Sequence, residues 1–332
     1  MADDLLFGIQ TNGLKHKGSD PMPSIDARFA MAKAAGVFDY VDKTPAPDEI
    51  EAFEAAKAKY GLPVLAGGWF YELGGDDGLL EKNLATGQRL DSRVHNVQVK
   101  LLHADGHVVT NDEVMAAYLD AAELGERYGC APCFEVHVNM WSEDFPRVAE
   151  VGRMVEARGG VFNMTLDHSH VIFKLDNPAE QKIFDTDKKI ASGALVLDPF
   201  KPGNVIEEWV SAGWVRHAHL RAAIPNNPKN VTGRHPDGAI GRGIQYPFVD
   251  PGPDGYHAPW SEAALEPWKE GVRILLRHRA RDPAKKLGQI STEFIPNPDY
   301  GEGCQYSLLD QAVACIEWTR AEWAAISAEV DV

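Results

Sequence analysis

Two hydrophobic rhythms alternate along the chain. Short, nearly continuous apolar runs predict strands over 5–10, 38–43, 62–68, 94–102, 132–138, 161–167, 214–220 and 287–294. Between them, apolar residues recur every third or fourth position, predicting helices over 24–35, 47–60, 76–90, 111–128, 142–158, 261–281 and 307–328. Met115, Tyr118, Leu119 and Ala122 set this spacing clearly. Ser24 caps its helix, Pro47 sits in a first turn, and Gly36, Gly61 and the Gly159-Gly160 pair stand where helices stop. Residues 177–209 read as irregular helical pieces.

Strict strand–helix alternation defines an α/β fold, and continuous apolar strands are those of a parallel sheet buried on both faces. Eight such units predict a (β/α)8 TIM barrel, with the whole of 1–332 as one domain and a long loop after strand seven, about 221–260, rich in Gly, Pro, Asn and His. An open doubly wound sheet is the competing architecture. It calls for a Gly-rich phosphate turn after an early strand, and Thr11-Asn12-Gly13-Leu14 is not one.

The 332 residues are 44% hydrophobic and 25% charged, as in a globular protein, and the formal net charge of −16 sets the chain against a phosphate backbone. Nucleic acid is therefore not an expected partner, and without a long apolar window neither is a membrane. The acidic start, Met1-Ala2-Asp3-Asp4, lacks signal-peptide features, and four sparse cysteines suit a reducing compartment, so a cytoplasmic location is expected. Cys130 and Cys133 share a redox spacing but precede a strand, which reads as structural.

The chemistry gathers where strands end, the face on which barrel enzymes carry their sites. Glu135 ends strand five, Asp167 strand six, His219 strand seven and Glu293 strand eight. Carboxylates this close force protonation unless a cation sits between them, and a mixed carboxylate–imidazole set suits Mn2+, Mg2+, Co2+ or Fe2+ better than a closed thiolate zinc site. His137, two residues beyond Glu135, points to the same face and is a candidate base. Trp69, Phe70 and Trp141 are candidates for stacking on a sugar or aryl face.

The ordered set of Glu135, Asp167-x-x-His170, His217-x-His219 and Glu293 resembles the xylose isomerase-like TIM barrels, and within them the sugar isomerase and ketose 3-epimerase branch. That resemblance implies one divalent metal, foremost Mn2+ with Zn2+ also possible, held by Glu135, Asp167, His219 and Glu293. The two glutamates are the acid/base pair, and His170 contacts a substrate oxygen. Substrate hydroxyls call for an arginine after strand seven, for which Arg221, Arg234 and Arg242 are candidates, and Gln245 and His257 of the long loop join the substrate-binding set. The implied activity is isomerisation or epimerisation of a sugar by proton abstraction next to a carbonyl, through an enediolate held by the metal. β-Elimination from 3-oxo-glycosides is the alternative, as in the similar C-glycoside deglycosidase α subunits; a non-catalytic metal- or sugar-binding barrel is another. The expected partners are a carbohydrate or glycoside substrate and further copies of the chain, with a second small subunit as an option. His168 has no assigned role and reads as a rim or packing residue.

Overall fold

The computed structural model describes residues 5–76, 78–253 and 256–330. Residues 1–4 lie outside it, as do position 77 of the expected 76–90 helix and positions 254 and 255 of the expected 221–260 loop. Among the described residues, eight strands close into a parallel barrel. Seven come first in the chain: β1 Leu6–Gln10, β2 Tyr40–Asp42, β3 Val64–Tyr71, β4 Val94–Val99, β5 Ala131–Glu135, β6 Met164–Leu166 and β7 Val215–Leu220. An antiparallel hairpin, β8 Asn230–Arg234 and β9 Ile240–Gly241, then precedes the closing strand, β10 Gln289–Thr292, which pairs with both β1 and β7. This is the predicted (β/α)8 architecture.

Helices cover the outside: α1 Ile25–Ala35, α2 Ile50–Tyr60, α3 Leu79–Leu90, α4 Asn111–Tyr128 and α5 Phe145–Ala157. Four short helices follow, α6 Ser169–Ile172, α7 Pro178–Gln181, α8 Thr186–Ala191 and α9 Val205–Ser211, then the longer α10 Glu266–Arg281 and α11 Leu308–Val330. Among the described residues, no helix is long and apolar enough to cross a membrane. The caps explain several boundaries. Thr110 and Glu113 form a reciprocal capping box at the start of α4, which supplies two of the backbone partners that a first turn lacks.

Two glycines set close approaches. A Cβ on Gly8 would fall 2.4 Å from the Tyr40 ring, so only glycine lets that ring cross the barrel to meet Ser291 Oγ at 2.8 Å. A Cβ on Gly241 would lie 1.7 Å from the Pro298 carbonyl oxygen, so only glycine lets β9 rest against the segment after β10. The hairpin is further fastened there. Asn230 Nδ2 donates to Pro298 O at 2.9 Å, and Thr232 Oγ1 donates to Glu302 O at 2.6 Å. The expected open loop therefore contains a strapped hairpin. Its strands are too short to leave a readable alternation in the sequence.

Candidate active site

The ends of the strands bring together the acids that were separate in sequence. Glu135 is the last residue of β5, Asp167 and Glu293 directly follow β6 and β10, and His219 lies within β7. All four are buried. His219 Nδ1 lies 2.9 Å from Glu135 Oε1 and 3.3 Å from Glu293 Oε2. Its Nε2 lies 3.3 Å from Asp42 Oδ2, at the end of β2. Burial alone would lower the basicity of this imidazole, but Glu293, Glu135 and Asp42 outweigh it and raise its pKa well above the ordinary value.

Glu135 is oriented from below. Asn96 Nδ2 donates to its Oε2 at 2.5 Å, and Gln98 Nε2 donates to the same atom. On the other side, Arg221 spans two carboxylates. Its Nη1 donates to Asp167 Oδ2 at 2.7 Å and its Nη2 to Glu293 Oε2, while Nε donates to the Glu293 carbonyl oxygen at 3.0 Å. The guanidinium lies 4.1 Å from the Tyr300 ring centroid, a cation–π contact inside the protein. Burial would raise the Glu293 carboxyl, but His219 and Arg221 together hold it below its usual range.

Glu135, His219 and Glu293 each offer a ligand atom within 4.8 Å of the others, and this mixed O/N set fits a divalent cation. Asp167 stands beside it. Its Oδ1 accepts from the Ser169 amide at 3.0 Å and from Ser169 Oγ at 2.5 Å, and its Oδ2 faces Arg221. Asp167 thus reaches Glu293 through a guanidinium. Asp42, His217 and His219 form a second such group directly below.

A cavity of about 300 Å3 opens above His219 and Glu293, with His137, Trp69, Phe70 and Lys43 in its walls. His137 Nδ1 lies 2.6 Å from the Val138 carbonyl oxygen and donates to it, which leaves Nε2 to accept from Tyr300 Oη at 3.0 Å. Burial, then His170 nearby, pushes the His137 pKa down to about 4. Trp69 and Phe70 stack with centroids 5.1 Å apart at the mouth and remain partly exposed.

Other candidates have different places. His170 is buried with Nε2 3.3 Å from Asp167 Oδ2 and its ring 4.3 Å from that of His137. His168 stacks on Trp268 at 5.1 Å and bonds its carbonyl, as a packing residue does. Trp141, expected at the substrate, is buried in the core because its turn folds under α5. Gln245 and His257 do not line the cavity. Gln245 Oε1 accepts from the Ile295 amide at 2.8 Å, and His257 Nε2 lies 3.2 Å from the Gln245 carbonyl oxygen. Arg234 bonds backbone carbonyls of its own hairpin, and Arg242 joins the carboxylates of Glu143 and Glu180. Cys130 and Cys133 are buried free thiols pushed up to about 12 by burial, in keeping with a structural role.

Sequence reasoning missed Asp42, Asn96, Gln98 and Tyr300. Asp42 carried a signal, an acid at a predicted strand end. The amides carried none, because their role depends on the β4–β5 register.

The (β/α)8 fold is similar to that of several solved structures, one of them titled a xylose isomerase-like TIM barrel protein. D-allulose 3-epimerase from Methylomonas sp., also solved in complex with D-allulose, is similar over 96% of this chain and 98% of its own, with a TM-score of 0.56 and 13% identity. The IolI protein with a bound zinc atom is similar over 98% of this chain and 99% of its own (TM-score 0.51, 13% identity). A xylose isomerase-like TIM barrel protein from Mycobacterium smegmatis, in complex with magnesium, is similar over 98% and 100% (TM-score 0.50, 12% identity). No protein-family model and no curated protein matches the sequence.

Proposed function

We propose that this chain is a divalent-metal-dependent sugar isomerase or epimerase that moves a proton next to a carbonyl. One observation carries the reading: two buried carboxylates, Glu135 and Glu293, face one imidazole under a cavity of about 300 Å3. The metal-bound and sugar-bound proteins of the same fold support it. Glu135, His219 and Glu293 would hold the ion, Mn2+ first among the candidates; Asp167, expected as a fourth ligand, would join them only by giving up its bond from Arg221. When bound, the ion supplies Lewis-acid stabilisation of charge on substrate oxygen.

The protein's own groups do the rest. Glu135 and Glu293 are the proton-transfer pair, one removing a proton and the other returning it. Asn96 and Gln98 fix Glu135 through Oε2 and leave Oε1 turned toward the site. His219 and Arg221 keep Glu293 ionised and therefore able to accept a proton. His137 lines the cavity, and the hydrogen bond from Tyr300 Oη to its Nε2 orients the ring; Nε2 becomes a further acceptor when that hydroxyl turns to the substrate. Trp69 and Phe70 offer an aromatic face to the sugar ring. His170 and Arg221, both buried behind the cavity, hold Asp167 and Glu293 in place.

Elimination from a 3-oxo-glycoside is the second reading, and a specific feature favours it. His235, 2.8 Å from Asp299 Oδ1, lines the same cavity from the hairpin and can protonate a leaving group. Incubation of the metal-loaded protein with ketoses in heavy water tests the first reading: deuterium should enter carbon-bound positions. Release of aglycone from a 3-oxo-glycoside, without exchange into free ketoses, would favour elimination. Neither exchange nor release, with metal bound, would leave only a binding protein.

A further inference from the structure

The connection from β4 to α4 carries His103-Ala104-Asp105-Gly106-His107. It folds into a tight turn. Leu102 and Val108 form an antiparallel bridge, the His103 amide donates to His107 O at 2.9 Å, and the Gly106 amide donates to His103 O at 2.8 Å. Gly106 closes the turn at φ 94°, a conformation open to glycine. Two imidazoles are thereby set face to face, with centroids 4.7 Å apart and ring planes 22° from parallel.

Asp105 stands between them. Its Oδ1 lies 3.1 Å from His103 Nδ1 and 2.5 Å from His107 Nδ1. The Asp105 amide donates to His103 Nδ1 at 3.3 Å, so this nitrogen holds a lone pair and faces the carboxylate without a proton of its own. A cation between the two atoms satisfies both, and the long amide bond it displaces leaves a donor that water can reach, because Asp105 is exposed.

Both rings are held from behind. His107 Nε2 lies 2.9 and 3.1 Å from the two oxygens of Glu113, and Glu113 Oε2 is itself fixed by the Thr110 amide at 2.7 Å. An imidazole that gives its far N–H to a carboxylate and keeps its near nitrogen for an ion is the arrangement found around metal-bound histidines. A Cβ on Gly74 would fall 2.4 Å from His103 Cε1, so only glycine lets that segment back the ring so closely. His103, Asp105 and His107 each offer a ligand atom within 4.8 Å of the others, and all three are at least partly open to solvent, which gives an ion its way in.

We propose that this turn is a second metal site, for a borderline divalent ion of the zinc class, with His103 Nδ1, His107 Nδ1 and Asp105 Oδ1 as ligands. Two imidazoles and one carboxylate suit such an ion better than Mg2+ or Ca2+. The ion takes the place of the proton that joins His107 Nδ1 to Asp105, and that proton passes to solvent. Water completes a tetrahedral set. The site shares no residue with Glu135, His219 and Glu293 and stands independently of the reaction proposed there.

Zinc bound per chain, measured by equilibrium dialysis and elemental mass spectrometry on the full chain, tests this. H103N and H107N should each hold one zinc fewer than the parent at the same free zinc concentration. H16N, which removes an exposed histidine elsewhere, should hold as much as the parent. The result is a difference between parent and variant, so the number of ions taken up at Glu135 and Glu293 does not enter it. The two histidines are removed separately, so if one variant fails to fold the other decides. The proposal is overturned if the folded variants bind zinc as the parent does, or if H16N loses the same ion.

Discussion

His219 touches a carboxylate at each ring nitrogen, and Arg221 touches one at each terminal nitrogen. These two residues link Asp42, Glu135, Asp167 and Glu293 into one buried charge network. Removal of one member leaves the others uncompensated. Glu135→Gln and Glu293→Gln should each abolish isotope exchange and weaken manganese binding, as measured by mass spectrometry and by titration. Retained turnover in both would remove the basis of the proposed mechanism. Arg221→Gln should destabilise the metal-free protein by about 3–5 kcal/mol, read from denaturant unfolding, because two buried carboxylates lose their cation. His137→Ala should lower turnover by about tenfold or more if Nε2 takes the substrate proton, with little change in melting temperature. The strand-end acids were legible because a strand's last residue is visible as the polar stop of an apolar run. Arg221 was legible as a cation after strand seven, but its bridging of Asp167 and Glu293 was not, since those partners come from different strands. Gln245 and His257 were read as substrate contacts because polar residues in a Gly-rich loop commonly face solvent or ligand. Here the loop folds back, and both are consumed in holding it.

Between the barrel and its strap lies a second buried ion cluster. Glu143, in the turn Trp141–Glu143, accepts from Lys174 Nζ at 2.9 Å and from Arg242 Nη2 at 2.5 Å. Arg242 also meets Glu180 in α7, so the cluster joins three separate segments. Burial would raise the Glu143 carboxyl, but Arg242 and Lys174 dominate and hold it at about 2, below its ordinary 4.5. A depressed folded-state pKa means that this contribution to stability is complete above 4.5 and is lost as pH falls from there toward 2. Melting temperature should therefore drop across that window, and Glu143→Gln should flatten this part of the profile. An unchanged profile in the variant would show that the cluster does not couple to folding. Strands and long helices were legible from their periodicity. The hairpin was not, because β9 has two residues and its pairing depends on contact with Pro298 and Glu302.

At the scale of the molecule, charge is sorted between the two ends of the barrel. Acids crowd the strand ends and basic groups the strand beginnings. An ion bound among the acids favours the folded state by mass action. Chelation should lower the melting temperature, and added Mn2+ should restore it, with a smaller response in Glu293→Gln. The same thermal response in parent and variant would place the stabilising ion elsewhere. The barrel was legible as a whole because its eight repeats each carry the same strand–helix rhythm. Which ends would carry which charge also followed from the motif positions on the acidic side, whereas the basic side is scattered over distant segments and becomes a group only when the sheet closes.

The hairpin has a practical consequence for altering what the protein accepts. Its turn carries His235 into the cavity wall, while residues 236–240 are exposed and its anchorage runs through Asn230, Thr232 and Gly241 to the segment after β10. The tip is a replaceable cartridge on a fixed mount. Exchanging it for longer or shorter segments should retune the size of molecule admitted, while the proton-handling groups keep their positions and the barrel keeps its stability.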